Sequence, residues 1–244
     1  MSEQGNGRAC IFCGATDNLN REHLWPDWFN DVLPNVTDYT ATTTLPGGEV
    51  RQWPQKRIAK QRIAYVCEPC NEGWMGKLES AAKPILAPMF CGRRQNLTRR
   101  EQRILATWAF KTAAVGEYMD PENAVLPFEE RAWLRRNGEP PKDSLVFITG
   151  VDDRWSGDAH FDTYRLVPDP DPSSGVPALS QKGYVATLVV KYVGLQVVWA
   201  KISDPGFNRE RVARIWPMER TFEWPPGPIL PVSGIPLFIN TWRR

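Results

Sequence analysis

The residues best suited to chemistry in this 244-residue chain are four cysteines arranged as two Cys-x-x-Cys pairs. The first pair is Cys10 and Cys13, and the second pair is Cys67 and Cys70. Four thiolates match the tetrahedral, sulfur-rich coordination of a closed structural zinc site. We therefore predict that the four cysteines bind one zinc ion. The alternative is that they are unbound or disulfide-paired thiols, which the paired spacing disfavours.

An acidic residue and a histidine lie between the two cysteine pairs, and an asparagine directly follows the last cysteine. These residues are Glu22, His23 and Asn71, and Pro26 comes shortly after the histidine. Together with the cysteine pairs, they resemble the zinc-bearing branch of the HNH, or ββα-metal, endonuclease family. Asparagine stands here at a position where many members carry histidine. The resemblance covers about residues 8–85.

The resemblance implies a fold, a reaction and a set of roles. Family members hold one divalent cation, Mg²⁺ or Mn²⁺, on a β-hairpin followed by a helix, and they hydrolyse phosphodiester bonds. By resemblance, His23 is the general base that activates water, and Glu22 and Asn71 hold the catalytic cation. The four cysteines would hold a structural Zn²⁺ that ties the two ends of the motif together. DNA rather than RNA is the expected substrate, and a bacterial or phage defence setting fits the family.

The chain departs from the family pattern in two places. The family's middle asparagine, which orients the histidine, is absent, and residues 62–66 (RIAYV) stand there instead. The long distance from His23 to Cys67 predicts an insertion between the two strands of the motif. A further carboxylate, Glu79, lies two turns after Asn71 on nearly the same face of a predicted helix. Spacing alone makes Glu79 a candidate ligand of the catalytic cation.

Each of these residues also has a purely structural interpretation. His23 could pack beneath the cysteines, but the chain has only one other histidine, His160, so a histidine base has little choice of position. We favour a functional role for His23 and a structural one for His160. Asn71 could serve only as a helix cap, a role that is compatible with metal binding. For Glu79, a solvated helix face is the favoured interpretation.

The elements that must position these residues can be predicted from hydrophobic periodicity and from turn residues. We predict that residues 62–66 form a strand that runs into Cys67, and that residues 72–86 form a helix capped by Asn71. The remaining predicted elements are a short helix at 26–33, a loop or irregular hairpin at 35–55, helices at 99–119 and 127–138, and, over 183–202, two strands or one long strand bent at Gly194.

We predict an α+β protein with two domains. Residues 1–90 would form a zinc-containing HNH-like nuclease domain. Residues 91–244 would form a helical, then antiparallel-β accessory domain that recognises a target or a protein partner, or mediates homo-oligomerisation. Apolar residues make up 42% of the chain and charged residues 24%, which is typical of soluble globular proteins. The fifth cysteine, Cys91, is predicted to be a small buried apolar side chain.

The net charge of the chain is only +2, so attraction to nucleic acid must come from local basic patches. Two clusters of basic residues flank the predicted site and suit contacts with a phosphate backbone. They are Arg51, Lys56, Arg57, Lys60 and Arg62, and then Arg93, Arg94, Arg99, Arg100 and Arg103. The N-terminal residues lack the apolar segment of a secretory signal, and no apolar run is long enough to span a membrane. We therefore expect a cytoplasmic protein without membrane contact.

Two other functions are compatible with the same residues. A catalytically inactive zinc-knuckle module would bind nucleic acid without cutting it, and the missing asparagine favours this alternative. An assembly module would use the zinc domain as an interface and leave the main function to the C-terminal half. Loss of cleavage in His23→Ala separates a nuclease from a binding module, and deletion of residues 1–90 tests the assembly role.

Overall fold

A computed structural model describes residues 8–33, 39–44, 49–55, 62–152, 154, 159–166, 183–200 and 210–239 of the chain. Helices and strands are both present, so the predicted α+β class is confirmed. Among the described residues, no helix is both long enough and apolar enough to cross a membrane.

The N-terminal part combines a cysteine turn, a pair of strands and a helix. Strand β1 (Leu19–His23) pairs in antiparallel fashion with β4 (Arg62–Cys67), which confirms the predicted strand before the second cysteine pair. The short helix α1 (Phe29–Val32) follows β1. The segment between β1 and β4 also contains a hairpin, formed by β2 (Tyr39–Thr44) and β3 (Val50–Gln55). The insertion between β1 and β4 therefore leaves their pairing intact.

The helix after β4 begins earlier than the sequence pattern predicts. It starts as a π-helical segment (Pro69–Met75) and continues as α2 (Gly76–Phe90). Pro69 suits the first helical position, because its fixed φ is helical and its missing N–H would have no partner there. Asn71 thus lies inside the first turn, and the predicted cap is wrong: Glu68 precedes the helix and makes no side-chain cap.

The next helices form as predicted. Helix α3 (Arg99–Gly116) begins with a capping box in which the Thr98 side chain accepts from Glu101 N, and the Glu101 side chain accepts from Thr98 N. Helix α4 (Phe128–Asn137) ends at Gly138, whose φ of +65° is the left-handed conformation that favours glycine. Cys91, at the end of α2, is exposed, so the prediction that it is buried is wrong. Helix α2 ends at the buried Phe90, and Cys91 lies one residue beyond it.

Most of the remaining strands belong to one seven-stranded sheet. Its order is β10-β6-β9-β8-β7-β2-β3, and every neighbouring pair is antiparallel except β2 and β7, which are parallel. Besides β2 and β3, the sheet contains β6 (Ser144–Gly150), β7 (Ala159–Leu166), β8 (Gly183–Val190), β9 (Val193–Trp199) and β10 (Val212–Trp216). A separate pair joins β5 (Gln95–Leu97) to β11 (Phe222–Trp224), and α5 (Ile235–Ile239) ends the described chain.

The longest apolar stretch forms two strands, β8 and β9, and the turn between them is not at Gly194. The chain reverses at Lys191, which has a φ of +48°, while Gly194 lies inside β9. A Cβ atom at Gly194 would lie 2.9 Å from Thr149 Cγ2, so the glycine permits a close approach between neighbouring strands.

One hydrophobic core crosses the predicted boundary at residue 90. It includes Trp25 and Phe29 from the N-terminal part together with Trp108 of α3 and Phe161 of β7. The Trp25 and Phe161 rings lie 6.1 Å apart, edge to face. Helix α3 packs on α2 and on strands of the large sheet, and the β2–β3 hairpin extends that sheet. The division into two domains at residue 90 remains a prediction. The large sheet and the hydrophobic core both contain residues from each side of this boundary.

Candidate functional site

The four paired cysteines converge in space as predicted. The sulfur atoms of Cys10, Cys13, Cys67 and Cys70 all lie within 4.8 Å of one another. Cys13 Sγ and Cys67 Sγ are 3.5 Å apart, and none of the cysteines forms a disulfide. Among the described residues, these four are the only group of three or more His, Cys, Asp or Glu side chains whose ligand atoms gather closely enough to hold a metal ion.

The backbone of the first cysteine pair is folded and anchored by hydrogen bonds. Gly14 N donates to Cys10 O at 2.8 Å, and Cys10 N donates to Ala15 O at 2.7 Å. Gly14 has a φ of +77°, which favours glycine at this turn. Ile11 N then donates to Tyr65 O at 2.9 Å, so the cysteine turn is fixed to β4 just before Cys67. Two segments more than fifty residues apart in sequence thereby present their sulfurs to one point.

The thiols differ in how readily they ionise. Burial raises the pKa of Cys67 and of Cys70. Burial also acts to raise the pKa of Cys10, but backbone N–H groups, first that of Cys67, outweigh it and lower that pKa below its usual value. A bound cation would favour the thiolate form of all four groups, because metal binding displaces the thiol protons.

The paired strands β1 and β4 position the acidic residue and the histidine. His23 lies opposite Arg62 and Glu22 lies opposite Ile63, after a bulge that follows the pairing of Asn20 with Val66. The Glu22 side chain is buried, and the His23 side chain is 17% exposed. The bulge changes the register of the two strands, and bulges often re-aim side chains next to functional sites.

A cleft of about 360 Å³ brings the predicted catalytic residues together. It joins β1, the start of β4 and the helix that carries Asn71 and Glu79. Its lining residues are Asn20, Arg21, Glu22, His23, Pro26, Asp27, Trp28, Arg62, Asn71 and Glu79. All four residues predicted to act in catalysis or in holding a catalytic cation therefore face one space.

His23 is held by two charged neighbours. Arg62 Nε donates a hydrogen bond to His23 Nε2 at 2.7 Å, and Asp27 Oδ1 lies 3.4 Å from the same nitrogen. Burial lowers the pKa of His23, and Arg62 lowers it further against the opposing charges of Asp27 and Glu79. The imidazole is therefore neutral at neutral pH, and Nε2 carries the lone pair that accepts from Arg62.

The two carboxylates of the cleft share a buried lysine that the sequence analysis did not identify. Lys111 Nζ, on α3, lies 2.8 Å from Glu79 Oε1 and 3.8 Å from Glu22 Oε1, and its side chain is fully buried. Glu79 is only 22% exposed, so the interpretation as a solvated helix face is wrong. A signal was present in the sequence, since Lys111 interrupts an apolar stretch between Trp108 and Val115.

Burial and the charge of the neighbouring partner have opposite effects on the pKa values of Glu22 and Lys111. Burial raises the pKa of Glu22, with smaller contributions from Glu79 and Asp27 in the same direction, and Lys111 opposes it. Burial acts to lower the pKa of Lys111, but the charges of Glu79 and Glu22 outweigh it and raise that pKa. Lys111 therefore remains protonated.

Basic residues lie both at the cleft and away from it. Arg21 and Arg62 line the cleft and are exposed. The residues of the second basic cluster (Arg93, Arg94, Arg99, Arg100 and Arg103) are exposed too, and Arg94 forms an ion pair with Glu223 at 3.1 Å. In the first cluster, Lys56, Arg57, Lys60 and the side chain of Arg51 lie outside the described part of the chain.

Comparison with protein-family models, with curated proteins and with solved structures finds no match for this chain.

Proposed function

We propose that this protein is a metal-dependent endonuclease of the HNH type that hydrolyses phosphodiester bonds, with DNA as its substrate. The observation that supports the proposal best is the cleft itself, in which His23 lies beside Glu22, Asn71 and Glu79. The residues come from two antiparallel strands and the helix that follows them, next to a cluster of four cysteines. This is the order of elements that the resemblance implies.

The four cysteines fit a structural zinc ion. A tetrahedral site with Zn–S distances of about 2.3 Å requires sulfur atoms about 3.8 Å apart. The sulfurs here lie within 4.8 Å of one another, and those of Cys13 and Cys67 are 3.5 Å apart. All four ligands would be thiolates, so no position remains open for water, and the zinc would stabilise the fold without taking part in the reaction.

A hard divalent cation fits the cleft by the chemistry of its donors. Glu22, Glu79 and Asn71 supply carboxylate and amide oxygens to the same space, and such oxygens suit Mg²⁺ or Mn²⁺. When bound, the cation would neutralise charge that develops on the phosphate oxygens.

His23 would accept the proton of the attacking water. Its lowered pKa keeps the imidazole neutral near pH 7, the state that a base requires. Arg62 and Asp27 both contact Nε2 and would orient the ring in place of the missing asparagine. Arg62 must release Nε2 before that nitrogen can take a proton. A phosphate group competes well for a guanidinium, so substrate binding would favour this release.

The deciding experiment is plasmid cleavage with Mg²⁺ or Mn²⁺ by the wild type, His23→Ala and His160→Ala, with zinc content measured for all three. His160 lies in β7 and is the only other histidine, so its substitution is the matched control. We expect the wild type and His160→Ala to nick or linearise DNA and His23→Ala not to do so, with one zinc ion on each. Cleavage by His23→Ala at the wild-type rate would contradict the role of His23.

A nucleic-acid-binding module without catalysis is the second candidate. The hydrogen bond from Arg62 to His23 favours it, because the lone pair of the base is already in use. In that case all three proteins would retard DNA in a gel and none would cut it, while each retained zinc. The same preparation therefore distinguishes the two functions.

A further inference from the structure

We propose that Lys111 is an internal cation of the cleft: it holds Glu22 and Glu79 together without a divalent ion, and its charge weakens the binding of Mg²⁺ or Mn²⁺ there. The proposal rests on the proposed function in that it takes the cleft to be a site for a divalent cation. Lys111 is a positioning residue, because it contacts the two carboxylates from within the core and is not exposed to the cleft.

Lys111 places a positive charge inside the protein, next to the two carboxylates. An ammonium group in the protein interior is costly unless it is paired. Lys111 is fully buried on α3, and its Nζ lies within 4 Å of both carboxylates. Three elements meet at this point, since Glu22 belongs to β1, Glu79 to α2 and Lys111 to α3.

Without the Lys111 ammonium group, the two carboxylates of the cleft would repel one another. Glu22 is buried and Glu79 is largely buried, so two negative charges would face one another in a medium of low dielectric constant. Without Lys111, a bound cation or a proton on one of the two carboxyl groups would have to offset this repulsion. Lys111 supplies that charge permanently, so the cleft can form before any divalent ion binds.

Lys111 would also affect a divalent ion bound in the cleft. Its ammonium group is fully buried beside both carboxylates, so an ion held by Glu22 and Glu79 would bind near a positive charge. The trio carries a net charge of −1, whereas the two carboxylates alone would carry −2. The attraction for a divalent ion is therefore smaller than for the carboxylate pair alone.

The test measures Mn²⁺ affinity by the loss of the free-ion signal in electron paramagnetic resonance, on zinc-loaded full-length protein. Lys111→Met keeps the length of the side chain and removes its charge. We expect it to bind Mn²⁺ about tenfold more tightly than the wild type, or better. Its melting temperature should also rise on addition of Mn²⁺ by more than that of the wild type. Lys142→Met removes an exposed lysine elsewhere and should change neither quantity.

Two further variants separate charge from packing. The double variant Lys111→Met/Glu79→Gln restores a net charge of −1 and should return the Mn²⁺ affinity close to that of the wild type. Lys111→Arg retains the charge and should bind Mn²⁺ as the wild type does. Unchanged or weaker Mn²⁺ binding by a folded Lys111→Met would overturn the proposal. If Lys111→Met does not fold even with Mn²⁺, Glu79→Gln decides instead: its Mn²⁺ affinity should fall about tenfold or more, and an unchanged value would overturn the proposal.

Failure of this proposal can be told apart from failure of the proposed function. A wild type that cuts plasmid, combined with a Lys111→Met variant of unchanged Mn²⁺ affinity, would contradict only the role of Lys111. A Lys111→Met variant that gains Mn²⁺ affinity, beside a wild type that cuts nothing, would support the role of Lys111 and contradict the nuclease. Absence of Mn²⁺ binding by both proteins would contradict both.

Discussion

Glu22 and His23 are sequence neighbours, and burial disfavours the charged form of each. Burial raises the pKa of the Glu22 carboxyl and lowers the pKa of the His23 imidazole. The charged partners then modify this effect, Lys111 at Glu22 and Arg62 at His23. The protonation of both side chains therefore depends on charges supplied by residues outside the acidic-histidine pair itself.

The position of the acidic limb of the pH–rate profile tests this arrangement. A base must be deprotonated, and the pKa of His23 lies below its usual value, so cleavage should reach half its maximum below about pH 6.5. Asp27 raises the pKa of both His23 and Glu22. Asp27→Asn should therefore move the limb to lower pH, because it lowers the pKa of each group.

Asp31→Asn is the matched control for this measurement. The Asp31 side chain is 72% exposed, as is that of Asp27, but Asp31 forms its ion pair with Lys83. Asp31→Asn should not shift the acidic limb of the pH–rate profile. A limb that moves to higher pH in Asp27→Asn would show that His23 and Glu22 are not the groups that limit the rate.

At the scale of elements, the cysteine cluster joins the start of the chain to the end of β4. The turn that carries Cys10 and Cys13 has little regular structure of its own and is fixed by Gly14 and by the hydrogen bond from Ile11 N to Tyr65 O in β4. The helix that carries Asn71 and Glu79 begins at Pro69, two residues after Cys67. A metal ion bound by the cysteines would therefore also fix the direction in which this helix leaves the strand.

Replacement of one cluster cysteine should destabilise the protein and release its metal. We expect Cys70→Ser to lose zinc and to lower the melting temperature by at least about 10 °C, because the free energy of zinc binding contributes to folding. Cys91→Ser is the control, since Cys91 is exposed and lies outside the cluster. Its zinc content and melting temperature should match those of the wild type. Retention of both by Cys70→Ser would contradict a structural metal at the four cysteines.

At the scale of the whole molecule, the cleft and the large sheet share one core. The Phe29 and Trp108 rings lie 6.1 Å apart, so α1 and α3 pack together. Gly116, at the end of α3, contacts both parts: a methyl group there would overlap the Phe161 ring and lie 3.0 Å from Leu24 Cδ1. Movement of the sheet relative to the cleft would therefore disturb the position of Lys111 on the same helix.

Gly116→Ala should lower the melting temperature by about 2 to 10 °C, because overpacking a core costs about 1–3 kcal/mol. In an open helix the same change would stabilise, since alanine favours a helix more than glycine does. Gly73→Ala is the control, as a Cβ atom at Gly73 would meet nothing within 4 Å. Its melting temperature should stay the same or rise. An unchanged melting temperature in Gly116→Ala would show that α3 and β7 can separate at little cost.

The sequence by itself determined the features that depend on local spacing. The two Cys-x-x-Cys pairs predicted a cluster of four sulfurs, and the alternating residues 62–66 predicted the strand before Cys67. Helices α3 and α4 could also be predicted from the sequence, because helix caps and helical faces are set by residues that are near one another in the chain. Of the two alternatives predicted for residues 183–202, the pair of strands is confirmed and the bend at Gly194 is not found, because that glycine lies inside β9 and packs closely against the adjacent strand.

The tertiary structure decided which charges meet in the cleft. Glu79 appeared solvated from its helix alone, and Lys111 appeared as one residue of an amphipathic helix, but the packing of α3 on α2 pairs them at 2.8 Å. Arg62 reaches His23 only because β1 and β4 pair across a gap of 39 residues. Contacts of this kind depend on long-range register and on helix packing, and the free energy that fixes them comes from a core shared by both halves of the chain.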